Sequence, residues 1–160
     1  MASPKTEKAT FACGCFWGVQ AAFDRVKGVV KTTVGYTGGH LGKPTYEDVC
    51  TGRTGHAEAI EVEFDPKRTT YEKLLGTFFS SHDPTQVNRQ CPDAGSQYRS
   101  AIFYHDGAQK KAASKAKDAL EKQKKYSKPI ATEVVKASAF YPAEEHHQKY
   151  LEKRGQFVCH

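Results

Sequence analysis

The stretch FACGCFWGVQAAF, residues 11–23, is where the chain changes from one kind of structure to another. Lys8 to Cys13 reads as a short strand. Gly14 then allows a sharp turn. Phe16, Val19, Gln20, Phe23 and Val26 recur at helical spacing, and Gly28 ends that helix. Two cysteines and two large aromatics crowd this bend, which packing alone does not require.

Working outward, strands and helices keep alternating. VVKTTVGY (29–36) and AEAIEVEF (57–64) alternate as strands. TYEKLLGTFFSSH (70–82) puts Tyr71, Leu74, Leu75, Phe78 and Phe79 on one helical face. QYRSAIFYH (97–105) reads as a strand, and the lysine-rich run that follows as a helix with Ala108, Ala112, Ala116 and Ala119/Leu120 as its inner stripe. IATEVVKA (130–137) reads as a further strand. PAEEHHQKYLEKR (142–154) reads as a last short helix, with Pro142 at its start. The order β-α-β-β-α-β, then α-β-α, predicts an α+β fold. Its core is a ferredoxin-like two-layer sandwich with extra C-terminal elements. With no repeats or linker, residues 1–160 are expected to form a single catalytic domain. The N-terminus is expected to be flexible over about 1–7 and the C-terminal tail mobile over about 153–160.

Two connections, 37–56 and 82–96, are too long for simple turns. Their Tyr, Gly, Asp and Cys content points to function.

With 38% hydrophobic and 11% aromatic residues, the chain is globular rather than disordered. No apolar run approaches the roughly 18 residues of a spanning helix. The N-terminal stretch lacks a secretory pattern, so a cytoplasmic location is expected, or an organelle if a transit peptide has been removed. The net charge of +6 lies largely in the lysine-rich run. Solvated lysines explain it better than nucleic acid, because no aromatics interleave with them. Five cysteines, an odd number without a signal, argue against a disulfide framework and leave reactive thiols or a metal site. The spaced Cys pairs of a structural zinc site are absent.

Cys15 lies where a strand ends and a helix begins. Unpaired N–H groups and the helix dipole there favour a thiolate. The alternative is a buried, inert cysteine. In GHAEAIEVEF (55–64), Glu58 shares parity with Ile60, Val62 and Phe64, while Glu61 and Glu63 face away. Glu58 is thus an acid on the apolar face, where burial favours its protonated, proton-donating form. The alternative is a solvent-facing residue ahead of the strand. Asp83, before Pro84, reads as a turn residue. Asp93, Tyr98, Tyr36 and Tyr46 converge near strand ends, where tyrosines can bind a polar oxygen while their rings close a pocket.

GCFWG (14–18), GYTGG (35–39), PTYEDVCTGRTGHAEAIEVEFDP (44–66), HDPTQVNRQ (82–90) and DAGSQYRSAIF (93–103) together resemble the peptide methionine sulfoxide reductase A family. The resemblance runs from about residue 8 to residue 152, and FYPAEEHHQKYL (140–151) belongs to it. It implies reduction of the S epimer of methionine sulfoxide, free or in proteins, and so repair of oxidised proteins. By that resemblance Cys15 is the nucleophile and Glu58 the acid that protonates the sulfoxide oxygen. Tyr46 and Tyr98 bind that oxygen, Phe16 and Trp17 wall the methyl pocket, and Asp93 meets the substrate's polar backbone. Tyr36 is expected to line the same pocket. A sulfenic acid on Cys15 would condense with a second cysteine, and thioredoxin would reduce the disulfide. The resemblance implies no metal or organic cofactor, no nucleic-acid or membrane partner, and a monomer. Cys91 stands where glycine is usual in the family, and the short tail carries only Cys159. Cys159 is therefore the first candidate for the second cysteine and Cys91 the next, followed by Cys50 and Cys13; a relay through two of them is compatible with the pattern. An RNA-binding module, and a thiol peroxidase or disulfide oxidoreductase, are the competing classes. The RNA-recognition strand signature and the C-x-x-C pair are both missing.

Overall fold

The alternating run at 57–64 forms the longest-paired strand of a six-stranded sheet. The computed structural model describes residues 6–14, 16–90, 93–123, 126 and 128–148. In chain order the elements are β1 (Glu7–Cys13), α1 (Phe16–Asp24), β2 (Val29–Thr37), α2 (Tyr46–Cys50), β3 (Ala57–Phe64) and α3 (Tyr71–Ser80). These are followed by a small hairpin, β4 (Arg89–Gln90) and β5 (Asp93–Ala94), then β6 (Ser100–Tyr104), α4 (Gly107–Gln123), β7 (Glu133–Lys136) and β8 (Phe140–Pro142). The sheet order is β7-β6-β1-β3-β2-β8, antiparallel except for the parallel β6–β7 pair.

Strand parity sorts the sheet into two unlike faces. Phe11, Cys13, Val34, Tyr36, Ile60, Val62 and Ile102 face the helices and join Phe23, Leu74, Leu75 and Phe78 in the main core. Phe11 stacks on Phe23, Tyr71 and Phe78 at centroid distances of 5.3, 5.9 and 5.3 Å. The other face carries Ala12, Ala57, Ala59, Ala101 and Phe103, backed by Ala137 and Phe140. All five residues expected on the inner face of α3 are buried there. A buried polar chain ties that helix to β6: His82 meets the Phe78 carbonyl at 2.8 Å and the Ser100 hydroxyl at 2.7 Å, and Ser100 meets Thr132 at 2.7 Å.

Several expectations need correction. α1 stops at Asp24; Val26 packs on the core from a turn whose N–H bonds the Phe23 carbonyl at 3.1 Å. Tyr98 does not begin a strand. It closes a 3₁₀ turn, Ser96–Tyr98, and β6 starts only at Ser100. On α4 the expected Ala112, Ala116 and Leu120 pack against the core, but the fully buried positions are Gln109 and Ala113, and Ala108 and Ala119 are exposed. Gln109 goes inside because its amide is satisfied: it accepts from His105 N–H at 3.0 Å and donates to the Lys8 carbonyl at 2.8 Å. Among the described residues, the expected last helix is a single 3₁₀ turn, Glu145–His147. Pro142 ends a strand instead, opposite Gly35 on the edge of the sheet, where a missing N–H is tolerated. No helix among the described residues is long and apolar enough to cross a membrane.

Candidate active site

The first long loop carries a short helix whose start is written in its sequence. Thr45 accepts from the Asp48 N–H at 3.2 Å, and Asp48 accepts from the Thr45 N–H at 3.0 Å. This capping box fixes the first turn of α2. Val49 anchors the helix in the core, and Tyr46 and Cys50, four residues apart, share a face. His56 holds the loop from below: its Nδ1 accepts from the Gly39 N–H at 3.0 Å, and its Nε2 lies 2.6 Å from the Leu41 carbonyl.

Glu58 is 1% exposed at the mouth of β3, level with Tyr36 on β2. A negative charge at Glu58 would work against ionisation of Tyr36, Tyr46 and Cys50. Tyr46 is held far above its ordinary pKa, first by burial, then by its hydrogen bond with Cys50, then by the charges at Glu58, Cys50 and Tyr98. It is a neutral hydroxyl over the whole physiological range. The Cys50 thiol is raised, chiefly by burial, although its hydrogen bond with Tyr46 acts the other way. Tyr98 is half-buried in the 3₁₀ turn, close enough for its charge to bear on Tyr46.

The segment 143–148 closes one side of this group. Glu144 accepts from the Tyr36 hydroxyl at 3.1 Å and from the Tyr46 backbone N–H at 3.3 Å. Burial pushes its carboxyl up, but backbone N–H groups, the Tyr36 hydroxyl and His147 together hold it below its ordinary value. Trp17 donates its indole N–H to His147 Nδ1 at 3.0 Å. His147 also stacks on Trp17 at 5.7 Å and on Tyr46 at 4.4 Å, and Trp17 and Tyr46 lie 6.2 Å apart. Gln148 clasps β2, accepting from the Val34 N–H at 3.0 Å and donating to the Val34 carbonyl at 2.9 Å.

Glu58, Tyr36, Tyr46, Tyr98 and Trp17 therefore gather at one end of the sheet. The Tyr36 hydroxyl is turned to Glu144. Gly14 ends β1 at φ +96°, a conformation that favours glycine, and α1 begins at Phe16. Asp93 sits in β5 opposite Gln90. Cys15, Cys91 and Cys159 lie outside the described residues. Cys13 is fully buried in β1, and burial pushes its thiol far up. Asp83 is a turn residue, accepting from the Thr85 N–H at 3.0 Å and its hydroxyl at 2.6 Å. Sequence reasoning missed Glu144 and His147 as members of the site. Their spacing of three, with Gln148 next, puts them on one side of a single turn, but a helix end reads the same way.

The family model for peptide methionine sulfoxide reductase matches residues 7–160. Peptide methionine sulfoxide reductase MsrA of Methanosarcina acetivorans is 60% identical over 149 residues, 93% of this chain and 79% of that protein. The crystal structure of reduced Mxr1 from Saccharomyces cerevisiae superposes with a TM-score of 0.90 at 38% identity, covering 99% of this chain and 92% of that one. Mxr1 in complex with Trx2 superposes at 0.64 with 26% identity, covering 94% and 88%.

Proposed function

The chain belongs to the peptide methionine sulfoxide reductase family, and on that premise we propose that it reduces methionine S-sulfoxide, free and in proteins, through Cys15. The Cys15 thiolate attacks the sulfoxide sulfur while Glu58 gives a proton to the oxygen. An S–S bond to Cys15 forms as the S–O bond breaks, and with a second proton from solvent the oxygen leaves as water. That water then attacks the Cys15 sulfur, the S–S bond breaks, methionine leaves, and Cys15 is left as a sulfenic acid with release of one proton. A second thiol, Cys159 first and Cys91 next, displaces that oxygen as water and forms a disulfide. A thioredoxin dithiol then reduces it, and the Trx2 complex of the yeast neighbour supports that choice.

The observation that carries this reading is Glu58, an acid 1% exposed among Tyr36, Tyr46 and Cys50. A sulfoxide oxygen leaves poorly unless protonated, and burial favours the carboxyl form that can protonate it. Tyr46, kept neutral by burial, and the Tyr98 hydroxyl can donate to the same oxygen and so select the epimer. Trp17, oriented by His147, offers with Phe16 an apolar wall for the methyl group. Asp93 is proposed to hold the substrate's polar backbone.

We also propose a ferredoxin-like frame, supported by the order β6-β1-β3-β2 of the four central strands. Residues 1–160 would form one catalytic domain, acting as a cytoplasmic monomer without a nucleic-acid or membrane partner. The test is a single turnover of reduced protein with S- or R-methionine sulfoxide and no external reductant. Methionine from the S epimer only, with two thiols consumed, is expected. Cys15→Ser should abolish it, and whichever of Cys159→Ser and Cys91→Ser consumes one thiol fewer identifies the partner. Release from neither epimer would refute the reading.

A further inference from the structure

Tyr98 closes the 3₁₀ turn ahead of β6, whereas Glu58 lies in β3, two places along the sheet from β6. β1 lies between β6 and β3, and its ladder to β3 ends at Phe11↔Ile60, two residues short of Glu58. Past that point no strand pairing among the described residues links the Tyr98 turn to Glu58. On the reverse face, behind both residues, lies the Arg99 side chain, 14% exposed. Its Nη1 donates to the Ser96 carbonyl at 2.9 Å and its Nη2 to the Gly55 carbonyl at 3.0 Å. Its Nε donates to the Glu133 carboxylate at 3.3 Å, beside β6.

These three acceptors belong to three separate pieces of chain. Ser96 opens the 3₁₀ turn that ends in Tyr98, and Gly55 stands three residues before Glu58. One rigid, planar cation thus spans the two backbones that deliver the acid and the hydroxyl. Lysine's three donors radiate from one nitrogen, so they cannot reproduce the planar spread of Nε, Nη1 and Nη2 over these acceptors. The loop above is shaped to admit the group: Gly38 has φ +86°, and a Cβ there would stand 3.0 Å from Nη2 and from the Phe103 ring.

We propose that Arg99 is a positioning residue that sets the separation of Glu58 and Tyr98 from behind the sheet, without touching substrate. This rests on the reading of Glu58 as the acid. A displacement of about 1 Å at a reacting group can cost on the order of 100-fold in rate, so loss of the bridge is expected to slow chemistry by about 10- to 100-fold.

The experiment compares single-turnover reduction of S-methionine sulfoxide by wild type, R99A, E58Q and R99A/E58Q, below the melting temperature of each. R99K is carried alongside and stands in if R99A does not fold. R99A is expected to be slow, R99K to recover only part of the rate, and added guanidinium ion to restore part of the R99A rate. In the E58Q background R99A should cost no more than about threefold, because a misplaced acid matters only when the acid is present. R99A at the wild-type rate beside a slow E58Q would overturn the proposal. So would two losses that multiply in full. E58Q at the wild-type rate would instead remove the acid itself, and with it the reading on which the role of Arg99 depends.

Discussion

Two carboxyls flank the Tyr36–Tyr46 pair, and their surroundings are opposite. Glu144, on the closing segment, receives the Tyr36 hydroxyl and the Tyr46 N–H and is held below its ordinary pKa. Glu58, at the mouth of β3, is 1% exposed beside groups that burial keeps neutral. Donors aimed at a carboxylate stabilise its charge, whereas burial among neutral groups disfavours it. The first arrangement builds a scaffold for the tyrosines. The second is the setting in which the proposed proton donor would act.

The comparison is sharpest at the tyrosines that lie between the two acids. Tyr46→Phe/Tyr98→Phe is expected to lower the single-turnover rate by roughly 10²- to 10³-fold, with each single change costing much less. An unaffected double mutant would show that neither hydroxyl meets the oxygen. A smaller effect is expected on the scaffold side. His147→Ala removes the ring between Trp17 and Tyr46, and an aromatic contact of about 0.5–1.5 kcal/mol corresponds to a roughly 3- to 10-fold rise in KM, with kcat changed less. Methyl-sulfoxide substrates of increasing alkyl size would check that the change lies in the methyl pocket.

The smallest effect concerns stability. A carboxyl whose folded pKa is depressed contributes stability that is present above its unfolded value and lost as pH falls through the folded one. For Glu144 the ordinary value is 4.5. The melting temperature of wild type should therefore fall relative to Glu144→Gln as pH drops below 4.5, and the two curves should keep a constant gap above it. Parallel melting curves across that window would show that Glu144 is not held ionised.

How much of this was legible differed from element to element for physical reasons. β3 was readable because one face is buried and the period is two. α3 was readable because its apolar stripe is continuous. The parity of Glu58 followed from the same alternation. α2 left a signal, the Thr45/Asp48 pair, that reading the region as loop passed over. The stripe of α4 was read only in part: Ala112, Ala116 and Leu120 do pack on the core, but alanines on several faces give little contrast, and a glutamine with both amide groups satisfied took an inner place. The closing segment was the least legible part. Glu144 and His147 act on Tyr36, Tyr46 and Trp17, partners 108, 98 and 130 positions away, and no local pattern encodes contacts at that range.

The most direct measurement is the single-turnover rate of S-methionine sulfoxide reduction in Glu58→Gln and Glu144→Gln, measured side by side with circular dichroism spectra that match wild type. Loss of a general acid is expected to cost Glu58→Gln about 10²- to 10⁴-fold. Glu144→Gln, whose amide oxygen can accept from the Tyr46 N–H while its NH2 donates to the Tyr36 oxygen, should stay within about tenfold of wild type. Equal losses in the two variants, or a greater loss in Glu144→Gln, would contradict the division between a proton donor at Glu58 and a scaffold at Glu144.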